Sequence, residues 1–159
     1  MYSNTQKKLV AEYGNWISQW TWSHFGTFTF GRISSASNCE HHWNAFVNSL
    51  ERYTRGRIGW VRATEGRWSG CGKPHIPLHY HALLVYKNVP PTGVAQAIWH
   101  SKSGDSKVEI FDPTLGAAWY ISKMFPFSDF DYEVGGLEYF LDSLTPDSEE
   151  TQSGKPILT

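Results

Sequence analysis

Leu78-His79-Tyr80-His81-Ala82-Leu83-Leu84-Val85-Tyr86 is the stretch on which the reading of this chain turns. Its dense run of aliphatic and aromatic residues fits a largely buried strand, and it follows a Gly-rich, Pro-containing loop from Gly66 to Pro77. The segment before that loop, Ile58 to Thr64, has the same character. Two consecutive strands with a connection between them make an antiparallel hairpin. Along a strand, residues two apart share a face, so His79 and His81 project together, roughly 7 Å apart at about 3.3 Å rise per residue.

Outward from the hairpin, helices and strands alternate. Leu9, Val10, Tyr13, Trp16, Ile17 and Trp20 recur at helical spacing despite Gly14. Trp22 to Phe30 is aromatic and β-branched, closed by Gly31, and reads as the first strand. Ser37 and Glu40 form a capping-box pattern ahead of the helical face Trp43, Phe46, Val47 and Leu50, and Gly56 ends that helix. Pro90-Pro91 precedes a short helix near 92–101, and Lys107 to Phe111 reads as a strand. Asp112 and Pro113 predict a helix start, an N-cap and a proline at N1, for a helix reaching about Met124. The order predicts an α+β fold, a central antiparallel sheet with helices packed on it. Residues 1–144 form the expected domain, and 145–159 a polar acidic tail or linker.

The formal charge of -1 conceals an asymmetry. Residues 1–124 hold 13 Lys/Arg against 7 Asp/Glu, whereas residues 125–159 hold 1 against 8. Arg52, Arg55, Arg57, Arg62, Arg67 and Lys73 cluster in one part of the basic region, a pattern suited to phosphate contact. Eight Trp, eight Tyr and nine Phe exceed what a core this size requires, which leaves rings to stack on nucleobases. Two cysteines, Cys39 and Cys71, are too few for a disulfide framework. No segment reads as a membrane span or a secretory leader, so the expectation is a soluble protein, cytoplasmic or inside a host cell if viral.

Imidazole is the commonest side-chain metal ligand, and His79 with His81 can lean onto one ion. Glu65 ends the preceding strand, and pairing of the two strands would bring its carboxylate to the histidines. Two imidazoles and a carboxylate leave positions on an octahedral ion where a phosphate oxygen can bind. Farther along, Tyr120 and Lys123 stand three apart in Trp119-Tyr120-Ile121-Ser122-Lys123-Met124, on one face of the expected helix. A phenol with a free pKa near 10 is a weak nucleophile at neutral pH, and a neighbouring cation favours its phenolate.

These motifs, in this order, resemble the HUH endonuclease superfamily. Its aromatic–threonine strand is matched by Phe25-Gly26-Thr27-Phe28-Thr29-Phe30, its His-hydrophobic-His strand by His79-Tyr80-His81, and its Tyr-x-x-Lys by Tyr120 and Lys123. The resemblance spans roughly residues 22–124. It is nearest to the single-tyrosine initiators, called Rep, of plasmids and small circular single-stranded DNA viruses. The resemblance implies a divalent ion, Mn²⁺ or Mg²⁺, held by His79, His81 and a third polar residue. It further implies that Tyr120, assisted by Lys123, attacks single-stranded DNA at an origin or stem-loop, leaving a 5′-phosphotyrosine and a free 3′ hydroxyl that starts rolling-circle replication.

Glu65 is the expected third ligand. The long interval from Glu65 to His79 makes His75 its competitor. Arg55, Arg57, Arg67 and Lys73 are the expected contacts to DNA phosphates. The chain has no Gly-rich phosphate loop, so a helicase domain or partner would lie outside it. Three alternatives stand beside it: a single-tyrosine transposase-type nuclease using the same residues on a hairpin, a non-catalytic single-stranded nucleic-acid-binding module with no need for His79, His81 or Tyr120, and a structural metal-binding protein that leaves the Tyr120–Lys123 helix without a role.

Overall fold

A computed structural model describes residues 4–31, 36–65, 78–116, 119–120 and 132–143. In chain order these form α1 (Asn4–Ser18), β1 (His24–Thr29), α2 (Ala36–Thr54), β2 (Ile58–Glu65), β3 (His79–Tyr86), α3 (Thr92–Lys102), β4 (Ser106–Ile110) and β5 (Tyr132–Gly135), with 3-10 segments at Pro113–Leu115 and Leu137–Ser143. The strands make one sheet in the order β4-β1-β3-β2-β5, and every pairing is antiparallel. The expected α+β architecture is therefore the observed one.

β3 takes the centre because both its faces are apolar: Ala82, Leu83 and Leu84 are all fully buried. Its even-numbered residues Tyr80, Ala82, Leu84 and Tyr86 join Phe28, Trp60 and Val108 under Trp43, Phe46 and Leu50 of α2 and Ala95 and Trp99 of α3. The Trp99 indole also donates to the Thr29 carbonyl at 2.8 Å, which fastens α3 to β1. The opposite face carries Phe25, Val61, Ala63, Leu83 and Val85. There Ile17 and Trp20 pack at the end of α1, together with Tyr120, Leu137 and Phe140. Parity in β1 is settled accordingly: Phe28 and Phe30 join the α2–α3 core, and Thr27 and Thr29 share the other face with His79 and His81.

Three local expectations are corrected. α2 begins at Ala36, so Ser37 lies inside it, and Glu40 turns to the buried Arg62 guanidinium instead of capping the helix. A buried guanidinium left without a carboxylate would be strongly unfavourable, which accounts for the direction Glu40 takes. Asp112 does cap, accepting from the Thr114 N–H with Pro113 at N1, but the element is a three-residue 3-10 turn. Gly116 ends it at φ 77, a left-handed conformation that glycine adopts without steric penalty. Trp119 and Tyr120 are helical beyond it, and the remainder of the expected helix, to Met124, lies outside the described residues. β5 and the Leu137–Ser143 segment follow where no further element was expected. The acidic tail 145–159 lies outside the described residues.

Candidate metal centre

The β2–β3 register sets Glu65 opposite His79 and Ala63 opposite His81, so all three polar side chains share one face of the sheet. His79 Nε2 lies 2.8 Å and His81 Nε2 2.6 Å from the same oxygen, Glu65 Oε2. One ligand atom from each residue falls within 4.8 Å of the others. The side chains are 16%, 12% and 17% exposed for His79, His81 and Glu65, sheltered enough to be held yet open to a ligand. This trio could hold a metal ion. Its donor chemistry fits: two neutral imidazoles and one carboxylate suit a divalent ion of borderline softness and leave coordination positions open.

Neighbouring groups fix the ligands. Thr27, paired across from His81, places Oγ1 3.1 Å from His81 Nδ1. A hydroxyl donates or accepts equally well, so the ring stays oriented whichever nitrogen carries the proton. The Phe25 ring lies parallel to the His81 ring, at 6.2 Å between centroids and 3° between planes. Burial alone would raise the Glu65 carboxyl, but hydrogen bonds from His81 and His79 outweigh it and hold it below the usual carboxylate value. Glu65 is thus a carboxylate at neutral pH, the form that ligates a cation.

Tyr120 occupies the same sheet face but faces a different neighbour. It is 2% exposed, stacked on Phe111 at 4.4 Å and set edge-on to Phe25 at 5.3 Å. Its hydroxyl accepts from the Asp112 N–H at 2.6 Å and donates to the Asp112 carbonyl at 3.2 Å. Asp112 follows Phe111, whose N–H bonds the Ser23 carbonyl at the sheet's end. That is four positions from Thr27, roughly 13 Å along the strand. Burial raises the Tyr120 phenol; Asp112 and Glu109 add to the rise, and the Asp112 backbone only partly offsets it.

A groove of about 400 Å³ lies beside Tyr120, lined by Tyr120, Trp119, Phe25, Thr27 and Lys107 among others. No triad side chain lines it, and Thr27, the neighbour of His81, is its nearest approach to them. Thr27 stands at its triad end and Tyr120 at the other. Thr27, Phe25 and Lys107 were not among the expected site residues. The parity of the aromatic–threonine strand, paired against the histidine strand, is the signal that could have found the first two.

The basic residues divide. Arg55 and Arg57 stand at the start of β2, the end opposite Glu65, roughly 26 Å along the strand, so they are not brought to the triad. Arg62 is 2% exposed and engages Glu40 and Glu133 on the helix-covered face, which removes it from any phosphate-binding set. Arg67, Lys73, Lys123 and the competing ligand His75 lie outside the described residues.

No family model, curated protein or solved structure matches the chain. Among the described residues no helix is long and apolar enough to cross a membrane.

Proposed function

We propose that the chain is a metal-dependent, single-tyrosine single-strand DNA nickase of the HUH type, acting as a rolling-circle replication initiator. The observation that carries this reading is the convergence of Glu65, His79 and His81 on one carboxylate oxygen, on the sheet face that also bears Tyr120. Glu65, His79 and His81 would hold the ion, and imidazole nitrogens favour Mn²⁺ over the oxygen-preferring Mg²⁺. When bound, such an ion would supply Lewis acidity to a phosphate oxygen.

The chain's own residues do the rest. Trp119 offers a partly exposed ring on which a base could stack, and Lys107 a cation for a phosphate along the same groove. Tyr120 is the nucleophile: its oxygen bonds to phosphorus, the P–O3′ bond breaks, and the phenolic proton ends on the released 3′ oxygen. That step requires the Tyr120 hydroxyl to leave the Asp112 backbone and turn along the groove toward Thr27. Lys123 would favour the phenolate.

The double tie of the Tyr120 hydroxyl to Asp112 favours a second reading, a non-catalytic single-stranded nucleic-acid-binding module in which Tyr120 is structural. One experiment separates the two. Protein incubated with single-stranded oligonucleotides and Mn²⁺ is run on a denaturing gel. The nickase reading expects a covalent adduct that EDTA and Tyr120→Phe each abolish. An adduct that survives Tyr120→Phe contradicts the nucleophile, and binding without any adduct supports the second reading.

A further inference from the structure

On the far side of the sheet from the metal centre, α2 and α3 meet in a seam edged by basic side chains. Its open end is a cavity of about 810 Å³ where Arg52, Arg55, Arg57 and Lys102 face a single carboxylate, Glu51. A second hollow carries the seam on to His41, His42 and Ser103 and shares Ala45, Ser49 and Lys102 with the first. On α2, His41, Ala45, Asn48, Arg52 and Arg55 follow one another at steps of three or four residues, which puts them on one face. The track is roughly 21 Å long at about 1.5 Å per residue. Measured along the axis of a duplex, that length spans about six base pairs at near 3.4 Å each.

Arg55 stands at the open end of this seam. It ends α2 at φ 54, the left-handed position that helices ordinarily give to glycine, although Gly56 is its immediate neighbour. Asn88 Nδ2 donates to the Thr54 and Arg55 carbonyls, at 3.0 and 3.4 Å, and holds the backbone in this turn. The exposed Arg55 guanidinium lines the cavity, and neither it nor the Lys102 ammonium forms an ion pair with a described residue. Arg52 donates to Ser49 Oγ at 3.3 Å, and Arg57 approaches Glu51 at 3.8 Å with its guanidinium over the Tyr139 ring.

We infer that the α2–α3 seam binds the sugar-phosphate backbone of double-stranded nucleic acid, at a site separate from the metal centre. The chemistry selects backbone over bases: among the described residues lining the arginine-rich end none is aromatic, while guanidinium, ammonium, amide and hydroxyl groups all suit phosphate oxygens. Only the identity of the partner as nucleic acid rests on the proposed function; the cation track does not.

The test titrates the full chain with a labelled, fully paired DNA duplex in EDTA over a series of salt concentrations. Duplex binding is expected, and the triple variant Arg52→Glu, Arg55→Glu, Lys102→Glu is expected to weaken it at least about ten-fold. The slope of log affinity against log salt should fall by about 2–3. Arg55→Gly provides a variant that relieves backbone strain. It should fold at least as stably as the wild type and still lower the slope by about 1. No duplex binding in EDTA, or unchanged affinity and slope in both variants, overturns the proposal. Poly-glutamate that binds as tightly as the duplex and is lost equally in the triple variant also overturns it, in favour of an acidic protein partner. A failed Tyr120 adduct assay with duplex binding intact removes the nickase reading and leaves this one standing.

Discussion

β2 carries charge to both faces of the sheet and handles it differently on each. On the helix-covered face Arg62 is enclosed by the rings of Trp43, Trp60 and Tyr80, with its guanidinium carbon 4.3–5.4 Å from their centroids, and it reaches out to Glu40 and Glu133. Here the cation is a side chain, and its partners tie α2 and β5 to the sheet. Three residues on, Glu65 faces the other way and meets His79 and His81, a carboxylate and two imidazoles whose nitrogens can serve as hydrogen-bond donors or, once deprotonated, as metal ligands. One cluster is closed over by rings and two carboxylates, although Arg62 Nε and Nη1 are buried without a hydrogen-bond partner among the described residues; the other is suited to receive a ligand. The comparison teaches that burial and charge alone do not mark a functional site; the kind of donor does.

The largest expected effect probes the closed face. Trp43 is fully buried at the centre of the aromatic cluster, and Trp43→Ala should lower unfolding free energy by about 3–5 kcal/mol in chemical denaturation. A loss below about 1 kcal/mol would mean this face is not the main core. On the other face, Mn²⁺ at a hundred times its dissociation constant should raise stability by about 2.7 kcal/mol. Glu65→Gln or His81→Ala should remove that gain in a thermal or denaturant titration; a gain that persists in both would place the ion elsewhere.

Smaller changes sharpen the contrast. Thr27→Val deletes the hydroxyl beside His81 Nδ1 and should reduce Mn²⁺ affinity about 10- to 100-fold by calorimetry, with Thr27→Ser restoring most of it. Equal affinity in Thr27→Val would show that the hydroxyl does not orient the ring. Lys107 is exposed and paired at 2.9 Å with Glu109, so Lys107→Ala should alter stability by less than about 0.5 kcal/mol. It should nevertheless lower the salt slope of single-strand binding by about 0.7. An unchanged slope would take Lys107 out of the groove's function.

Much of this contrast is legible in the chain itself. The period-two spacing of His79 and His81 fixes that they point together, and hairpin pairing is enough to bring Glu65 to them. What the sequence leaves open is which parity the helices cover. Phe28, Trp60 and Tyr80 compete with Phe25, Val61 and Leu83, and apolar residues stand on both sides of β2 and β3. Glu40 looks like a capping residue because its tertiary partner, Arg62, is 22 positions away. The four residues of β5 are too few for a periodic signal, and Glu133 reads as part of an acidic tail until Arg62 claims it. Arg55 and Arg57 look close to Glu65 along the chain, but an extended strand separates them.

Mass-spectrometric mapping of the protein–DNA adduct formed with Mn²⁺ and a single-stranded oligonucleotide tests the account most directly. One DNA-bearing peptide is expected, linked through a 5′ phosphate to Tyr120 and missing in His81→Ala. Linkage to any other residue, or an adduct formed equally well by His81→Ala, would contradict it.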